Sequence, residues 1–429
     1  MVFLLQKRVQ ILISPLETIA AEASGYFSPV SEKSMLMWQI SKIKEAIKRA
    51  KERNGAYERR FSDLRIDDIN SYKSISLVPF TYPEEITEDP TSFVCETQRN
   101  ISRITSLRTS GSTGTPKRIY FTDNDLKRTV RLFEMGMGPI IKGCKRCLIM
   151  MSDRSPGSIA SLLKEGVERV GRPAEIYGNI LNVDDAAGAV REGDAIVGVP
   201  SSVIHMCRKY PGLRPGSVLL SADHIPATAA EAIRKLWHCR VYTHYGMTET
   251  GFGCAVQCSE KSGQHIRHDS LLIEIIDPVT GSQLDFGREG EIVITTFANE
   301  AMPLFRYRTG DISSLINGRC ECGSLLPRLG RVKGRIKNRI EMAGSVISIE
   351  VLDDLIYAFD DVYEYSAELI STDNRKELLI TVVGEDGLQL PELERVVSAF
   401  IPAGLKIKAV LAPSILQPFR KRHLILSKQ

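Results

Sequence analysis

The chain contains no uncharged apolar run of about eighteen residues, the length a membrane-crossing helix requires, so no transmembrane segment is expected. It also lacks a charge surplus. Lys and Arg total 56 against 52 Asp and Glu, a formal +4 over 429 residues, which is too small to point to nucleic acid or a membrane surface. The basic stretch at 42–60 reads instead as a solvated helix face. A signal-peptide order is missing, because Lys7 and Arg8 sit within the apolar run at 2–13 and not ahead of it. An even disulfide framework is missing too: nine irregularly spaced cysteines imply a reducing, cytoplasmic setting, with thiols or metal ligands in place of cross-links. Internal repeats and low-complexity tracts are absent.

What is present is an ordinary globular composition, on a chain long enough to expect two or more domains. Apolar spacing at Leu36, Ile40, Ile43 and Ile47 predicts one amphipathic helix over 34–59. A second is predicted over 124–137, capped by Thr122 or Asp123. Short apolar runs at 147–151, 195–199, 218–221 and 240–243 alternate with helical patterns at 158–170, 202–208 and 227–237, the signature of a parallel α/β sheet. From Leu271 onward, short strands and turns at 272–276 and 290–295 suggest a separate antiparallel unit. Beyond Arg335 a small α+β domain is expected, with helices over 349–358 and 390–400 and strands over 365–371, 377–383 and 407–411.

Four stretches carry chemistry. In the first, Thr109, Ser110, Ser112, Thr113 and Thr115 supply hydroxyls, while Gly111 and Gly114 let backbone NH groups turn toward one anion ahead of Lys117. Pro116 separates Thr115 from Lys117 and a β-leaning run follows, so this is not a Walker loop entering a helix. The same composition also fits a flexible linker. In the second, Tyr245, Gly246, Thr248 and Glu249 leave a strand with an aromatic face, a hydroxyl and a carboxylate, suited to a base, a phosphate and Mg²⁺. In the third, Asp311 follows a glycine turn and has the oxygens to accept two ribose hydroxyls. The fourth is the basic strand-turn at 330–339, which by itself also fits solvated surface.

The order of these stretches resembles that of adenylate-forming enzymes: acyl-CoA synthetases, adenylation domains and luciferases. Within that superfamily the chain is most similar to phenylacetate-CoA ligases, from the N-terminal helix and the Val78-Pro79-Phe80-Thr81 segment through Cys322, with 152–199 matching weakly. The resemblance implies a large N-terminal α/β domain at 1–335, including a β-rich subdomain near 255–330, and a mobile α+β domain at 336–429. It implies ATP-dependent conversion of a carboxylic acid to an acyl-adenylate, then to a thioester with coenzyme A, by a soluble enzyme that is often dimeric. The first loop would then hold the β- and γ-phosphates, Tyr245 would stack on adenine with Ala222 and Asp223 beside it, and Thr248 would contact the α-phosphate. Glu249 would hold Mg²⁺, Asp311 and Arg335 the ribose, and Lys337 the hinge. The family's Gly-Lys pair near the C-terminus is absent, and Lys421 is the nearest counterpart. This departure keeps open a different acceptor (a carrier thiol, an amine, or a hydroxyl of a deazaflavin-type coenzyme receiving AMP) or a homologue that binds nucleotide with impaired catalysis.

Cys258, His265, Cys320 and Cys322 offer three thiols and an imidazole, a donor set for one closed, structural Zn²⁺ site. Some proteins similar to phenylacetate-CoA ligases carry comparable residues at similar places. Cys254 and His268 are rival ligands, and the remaining cysteines are expected to be free.

Overall fold

The protein is represented by a computed structural model that describes residues 14–27, 29–107, 116–153, 157–342, 345–372, 375–401, 405–413 and 425–428. The phosphate-loop candidates Thr109 through Thr115, and Lys421, lie outside the described residues.

Strands Cys147–Met150, Ala195–Gly198 and Ser217–Leu220 are buried at every position, as strands covered on both faces must be. With Ala174–Ile176 at one edge and Arg240–Tyr245 at the other they form the expected parallel sheet. The sheet continues antiparallel through Ala255–Gln257, Gln264–Ile266, Arg328–Leu329 and Leu315–Ile316, reaching nine strands among the described residues. The region after 255 is therefore not wholly separate. Within 255–330, the described strands Leu272–Ile276, Gly290–Thr295 and Tyr307–Ser313 make a sheet of their own. The flanking strands pair with Arg240–Tyr245 and with one another, which satisfies backbone groups that an open sheet edge would leave unpaired.

The helix expected over 34–59 is two helices, Glu32–Arg53 and Gly55–Arg60. Asn54 is extended between them, and its side-chain oxygen accepts from Ala56 N at 2.8 Å, so a cap for the second helix interrupts the first. Helix Asp123–Ile141 starts at a reciprocal cap: Thr122 Oγ1 accepts from Asp125 N at 3.1 Å, and Asp125 Oδ2 accepts from Thr122 N at 3.0 Å. Helix Ile159–Arg169 packs closely on it. At Gly166 any Cβ would come within 2.7 Å of the Phe133 side chain, so a larger residue would force the two helices apart.

The C-terminal part has the expected α+β character. Strands Lys406–Leu411, Arg375–Gly384, Val362–Thr372 and Ile425–Lys428 form one sheet in that order, beside helices Ile349–Ile356 and Leu390–Phe400. Its apolar residues share a buried cluster with helices Pro200–Lys209 and Ala227–Trp237. No helix among the described residues is long and apolar enough to cross a membrane.

Strand Tyr307–Ser313 is fixed from the N-terminal side. Thr81 bridges Tyr307, its hydroxyl donates to Phe305 O at 2.7 Å, and its carbonyl accepts from Arg308 N at 3.0 Å. Arg306, with φ 45°, turns its guanidinium into the interior, where Nε donates to Glu274 Oε2 at 3.1 Å and Nη1 to Ser76 O and Val78 O. The Val78-Pro79-Phe80-Thr81 segment thus holds the strand that carries Tyr307 and Asp311.

Candidate active site

Ligands of parallel α/β sheets lie beyond the carboxyl ends of the strands. There, strand Arg240–Tyr245 ends at Tyr245 and the turn Thr248–Thr250 follows. Gly246 makes this turn possible, since a Cβ would stand 2.4 Å from Phe252 O and 2.6 Å from His244 Cε1. Asn299 Nδ2 donates to Glu249 O at 3.4 Å, and Thr129 Oγ1 donates to Gly251 O at 2.9 Å, so the turn is also held from behind.

Strand Lys117–Phe121 brings Lys117 to this turn, pairing antiparallel with Arg103–Leu107. Lys117 and Glu249 form an ion pair with side chains 9% and 6% exposed, and Lys117 Nζ also donates to Tyr307 OH at 3.0 Å. Tyr307 OH in turn donates to Glu249 Oε1 at 3.1 Å. Burial pushes the Glu249 carboxyl up, but the Lys117 charge and its hydrogen bond outweigh that and hold it below the usual carboxylate range. Burial, and then the neighbouring Glu249 charge, hold the Tyr307 phenol well above its ordinary value. Tyr307 OH thus bonds to both members of the pair.

A second chain of contacts runs alongside. Tyr245 OH donates to Asp311 Oδ2 at 2.8 Å, and Arg335 Nε donates to Asp311 Oδ1 at 2.9 Å. Asp311 is 7% exposed at its side chain and Arg335 is 44% exposed, so the contact joins the interior to an open surface. The Asp311 charge raises Arg335 further above its ordinary value, against the pull of burial. Residues 311 and 335 also bridge through their backbones. Gly334, with φ 103°, is in a conformation that other residues adopt only under strain, and a Cβ there would also displace the Glu350 carboxyl, 2.0 Å away.

Of the residues expected from the sequence, Lys117, Tyr245, Gly246, Glu249, Asp311 and Arg335 gather in this cluster. Thr248 opens its turn. Ala222, exposed and at φ 73°, and Asp223 lie on the loop that follows the neighbouring strand Ser217–Leu220. Lys337 does not join the cluster; its ammonium pairs with Glu84 on the surface. Tyr307 is not among the site residues expected from the sequence; it lies on the strand that carries Asp311, with a register irregularity between the two.

The cysteine set converges elsewhere. The ligand atoms of Cys258, His265, Cys320 and Cys322 all lie within 4.8 Å of one another, and all four residues are buried. Cys258 Sγ is 3.8 Å from Cys320 Sγ, and Cys322 Sγ is 3.4 Å from His265 Nε2. A hydrogen bond from Cys322 holds the Cys258 thiol far below its ordinary range, against burial, while the same contact pushes Cys322 up. The rivals fall away: Cys254 donates to Thr250 Oγ1 at 3.1 Å, and His268 is engaged by Pro327 O at 3.0 Å and by Gln39.

The AMP-binding enzyme family matches residues 104–299. The phenylacetate-coenzyme A ligase of Thermus thermophilus is 25% identical over 348 residues, covering 76% of this chain and 75% of the relative. That of Pseudomonas putida is also 25% identical, over 350 residues and 78% and 75% of the two chains. Among solved structures, 2-hydroxyisobutyryl-CoA ligase in its postadenylation state superposes with a TM-score of 0.78 over 92% of this chain and 89% of its own, at 18% identity. The same ligase in the thioesterification state gives 0.62 over 93% and 90%, at 19% identity. Residues 104–299 therefore carry an AMP-binding enzyme domain, the chain shares the fold of 2-hydroxyisobutyryl-CoA ligase, and it is similar over most of its length to phenylacetate-coenzyme A ligases.

Proposed function

We propose that the protein is an AMP-forming acid–thiol ligase, which activates a carboxylic acid as its acyl-adenylate and passes the acyl group to coenzyme A. The observation that carries this reading is the buried Lys117–Glu249–Tyr307 group set beside Tyr245–Asp311–Arg335, at the strand ends of a domain that matches AMP-binding enzymes. The similarity to phenylacetate-coenzyme A ligases supports the acid and the thiol acceptor.

In this site Asp311 offers two carboxylate oxygens to the ribose hydroxyls. Tyr245 presents a ring at the same strand end, next to the loop of Ala222 and Asp223. Thr248 opens the turn at which the α-phosphate would be attacked. The reaction asks little acid or base chemistry of the chain, since pyrophosphate leaves readily once its charge is neutralised; positioning and fixed charge do the catalysis. Glu249 fits Mg²⁺ because it is an ionised, buried carboxylate. When bound, Mg²⁺ supplies charge neutralisation on the phosphates. Lys117 and Mg²⁺ are alternative countercharges for Glu249: Glu249 would hold the ion, and the Lys117 ammonium would then be available to phosphate oxygens.

The Cys258, His265, Cys320 and Cys322 group fits Zn²⁺. Two thiolates bound to one tetrahedral zinc, each about 2.3 Å from it, stand roughly 3.7 Å apart, and the Cys258–Cys320 separation is 3.8 Å. Four protein donors close the coordination shell, which assigns such an ion a structural role. The same reading includes a hinge near 335–337 between two domains, a homodimer and a cytoplasmic location. The difference between the two TM-scores supports the hinge, because the two states of one ligase superpose unequally on this chain.

The test is pyrophosphate exchange over a panel of carboxylic acids, followed by mass spectrometry of products with coenzyme A present. Exchange with at least one acid, followed by thioester and free AMP, is expected. No exchange and no ATP binding by calorimetry would sink the reading. AMP retained on the product would assign a hydroxyl acceptor instead.

A further inference from the structure

A second cavity, sharing no lining residue with the nucleotide cluster, opens between helices Pro15–Ser24, Glu32–Arg53 and Asp123–Ile141 and the segments at 267–269 and 297–300. It encloses about 390 Å³. One wall is cationic, with Lys42, Arg49, Arg128, Arg131 and Arg267. The carboxylates lining the same space are Glu45, Asp269 and Glu300, and Asp125, Glu22 and Glu134 pair with Arg128 and Arg131 from beside it, so the wall carries no net surplus of positive charge and its interest lies in how each cation is partnered. Against them stands an aromatic wall, where Trp38 and Phe297 meet edge to face at 5.8 Å.

Arg267 makes this more than a basic patch. Its residue is 4% exposed, yet its Nε has no hydrogen-bond partner among the described residues. The one carboxylate paired with it, Asp269, stops at 3.8 Å from that atom. Arg49 Nε and Asp269 Oδ1 are likewise without partners. The other arginines are better supplied: Arg49 Nη2 donates to Phe297 O and Asn299 O, Arg128 to Ala298 O and Glu300, and Arg131 to Glu22 and Glu134. A guanidinium taken out of water without bidentate acceptors is costly, whereas one that completes its bonds on an incoming oxyanion is not.

We infer that this cavity is a binding site for a phosphate-bearing organic anion, with phosphoryl oxygens on Arg267 and the organic part against Trp38 and Phe297. Guanidinium groups match phosphoryl oxygens two at a time, and the space is far larger than one inorganic phosphate needs. The site also reaches the active-site turn. The Nη1 atom of Arg267 lies 3.7 Å from where a Gly251 Cβ would be, and Asn299, whose carbonyl accepts from Arg49, donates from its side chain to Glu249 O.

Trp38 supplies its own reporter, because the second of the two tryptophans, Trp237, is fully buried in a different core cluster. The full chain would be titrated with phenyl phosphate, inorganic phosphate and phenol, and with potassium chloride at matched ionic strength, while tryptophan emission is followed. A saturable change is expected with phenyl phosphate, a weaker-binding one with inorganic phosphate, and none with phenol or chloride. Arg267→Gln should weaken phenyl phosphate binding by about tenfold or more, as loss of a charge-assisted bidentate contact does. Lys406→Gln, whose ammonium pairs with Glu377 in the C-terminal sheet, should leave it unchanged. No saturable change from either phosphate, or an equal change from chloride, would overturn the inference. Should Arg267→Gln fail to fold by circular dichroism, Arg131→Gln at the more exposed rim takes its place, and unchanged binding in that variant overturns it as well.

Discussion

The nucleotide cluster and the cysteine cluster are both buried and both built from residues far apart in sequence, but they satisfy their charges in opposite ways. Lys117, Glu249 and Tyr307 satisfy one another within the protein, so the site is closed electrostatically before any ligand arrives. Cys258, His265, Cys320 and Cys322 instead bring four potential ligand atoms within 4.8 Å of one another. On the proposed reading, the first group is a preorganised site whose countercharge a metal would replace, and the second is a donor set that a cation would complete.

The largest test of that contrast is Glu249→Gln. It leaves the Lys117 ammonium buried without a countercharge, at a cost of about 3–5 kcal/mol. It also removes the proposed metal ligand, so pyrophosphate exchange should fall by about a hundredfold or more. A variant with wild-type exchange and melting temperature would show that the pair is decorative. Next is Cys322→Ser. Elemental analysis should find about one zinc per chain in the wild type, as one closed site requires, and a large loss in the variant. Chelator should lower the melting temperature of the wild type alone. Near-zero zinc in protein purified without chelator would collapse the contrast.

Smaller effects should follow at Asp311 and Gly334. Asp311→Asn weakens the acceptor shared by Tyr245 and Arg335, and the KM for ATP should rise about tenfold with a lesser change in kcat, as lost ground-state hydrogen bonding predicts. Gly334→Ala imposes a strained φ and displaces Glu350, for about 1–3 kcal/mol of stability by denaturant unfolding. The smallest effect is in acid. The folded carboxyl of Glu249 is held below its unfolded value of about 4.3, so its contribution is complete above that pH and is lost as pH falls through the lower folded value. The stability of the wild type should therefore decline more steeply below about pH 4.3 than that of Glu249→Gln.

The elements that were legible in the sequence are those whose pattern is local. Strands Leu272–Ile276 and Gly290–Thr295 and helices Ala227–Trp237 and Leu390–Phe400 fall where periodicity and turn residues put them. The helix break at Asn54 was missed because apolar spacing continues across it, while the interruption comes from one side-chain cap. The strands that extend the parallel sheet were missed for a different reason: pairing of 264–266 with 328–329 is a long-range choice that no local pattern encodes. In the site, ordered motifs gave Glu249 and Asp311, but not the internal countercharge, since the meeting of Lys117 with Glu249 depends on two separate sheets. Lys337 was placed by its motif alone, and its partner proved to be Glu84.

The contact between Asp311 and Arg335 also has a thermodynamic side. Asp311 is held by Tyr245 from within the sheet and by Arg335 from the segment that leads into the C-terminal part of the chain. Any ligand that draws on the oxygens of Asp311 therefore changes the strength of that tether. With the hinge of the proposed reading, reciprocity requires that the orientation of the C-terminal part change the affinity for that ligand by the same factor. On that reading one carboxylate makes occupancy and orientation two readings of a single equilibrium.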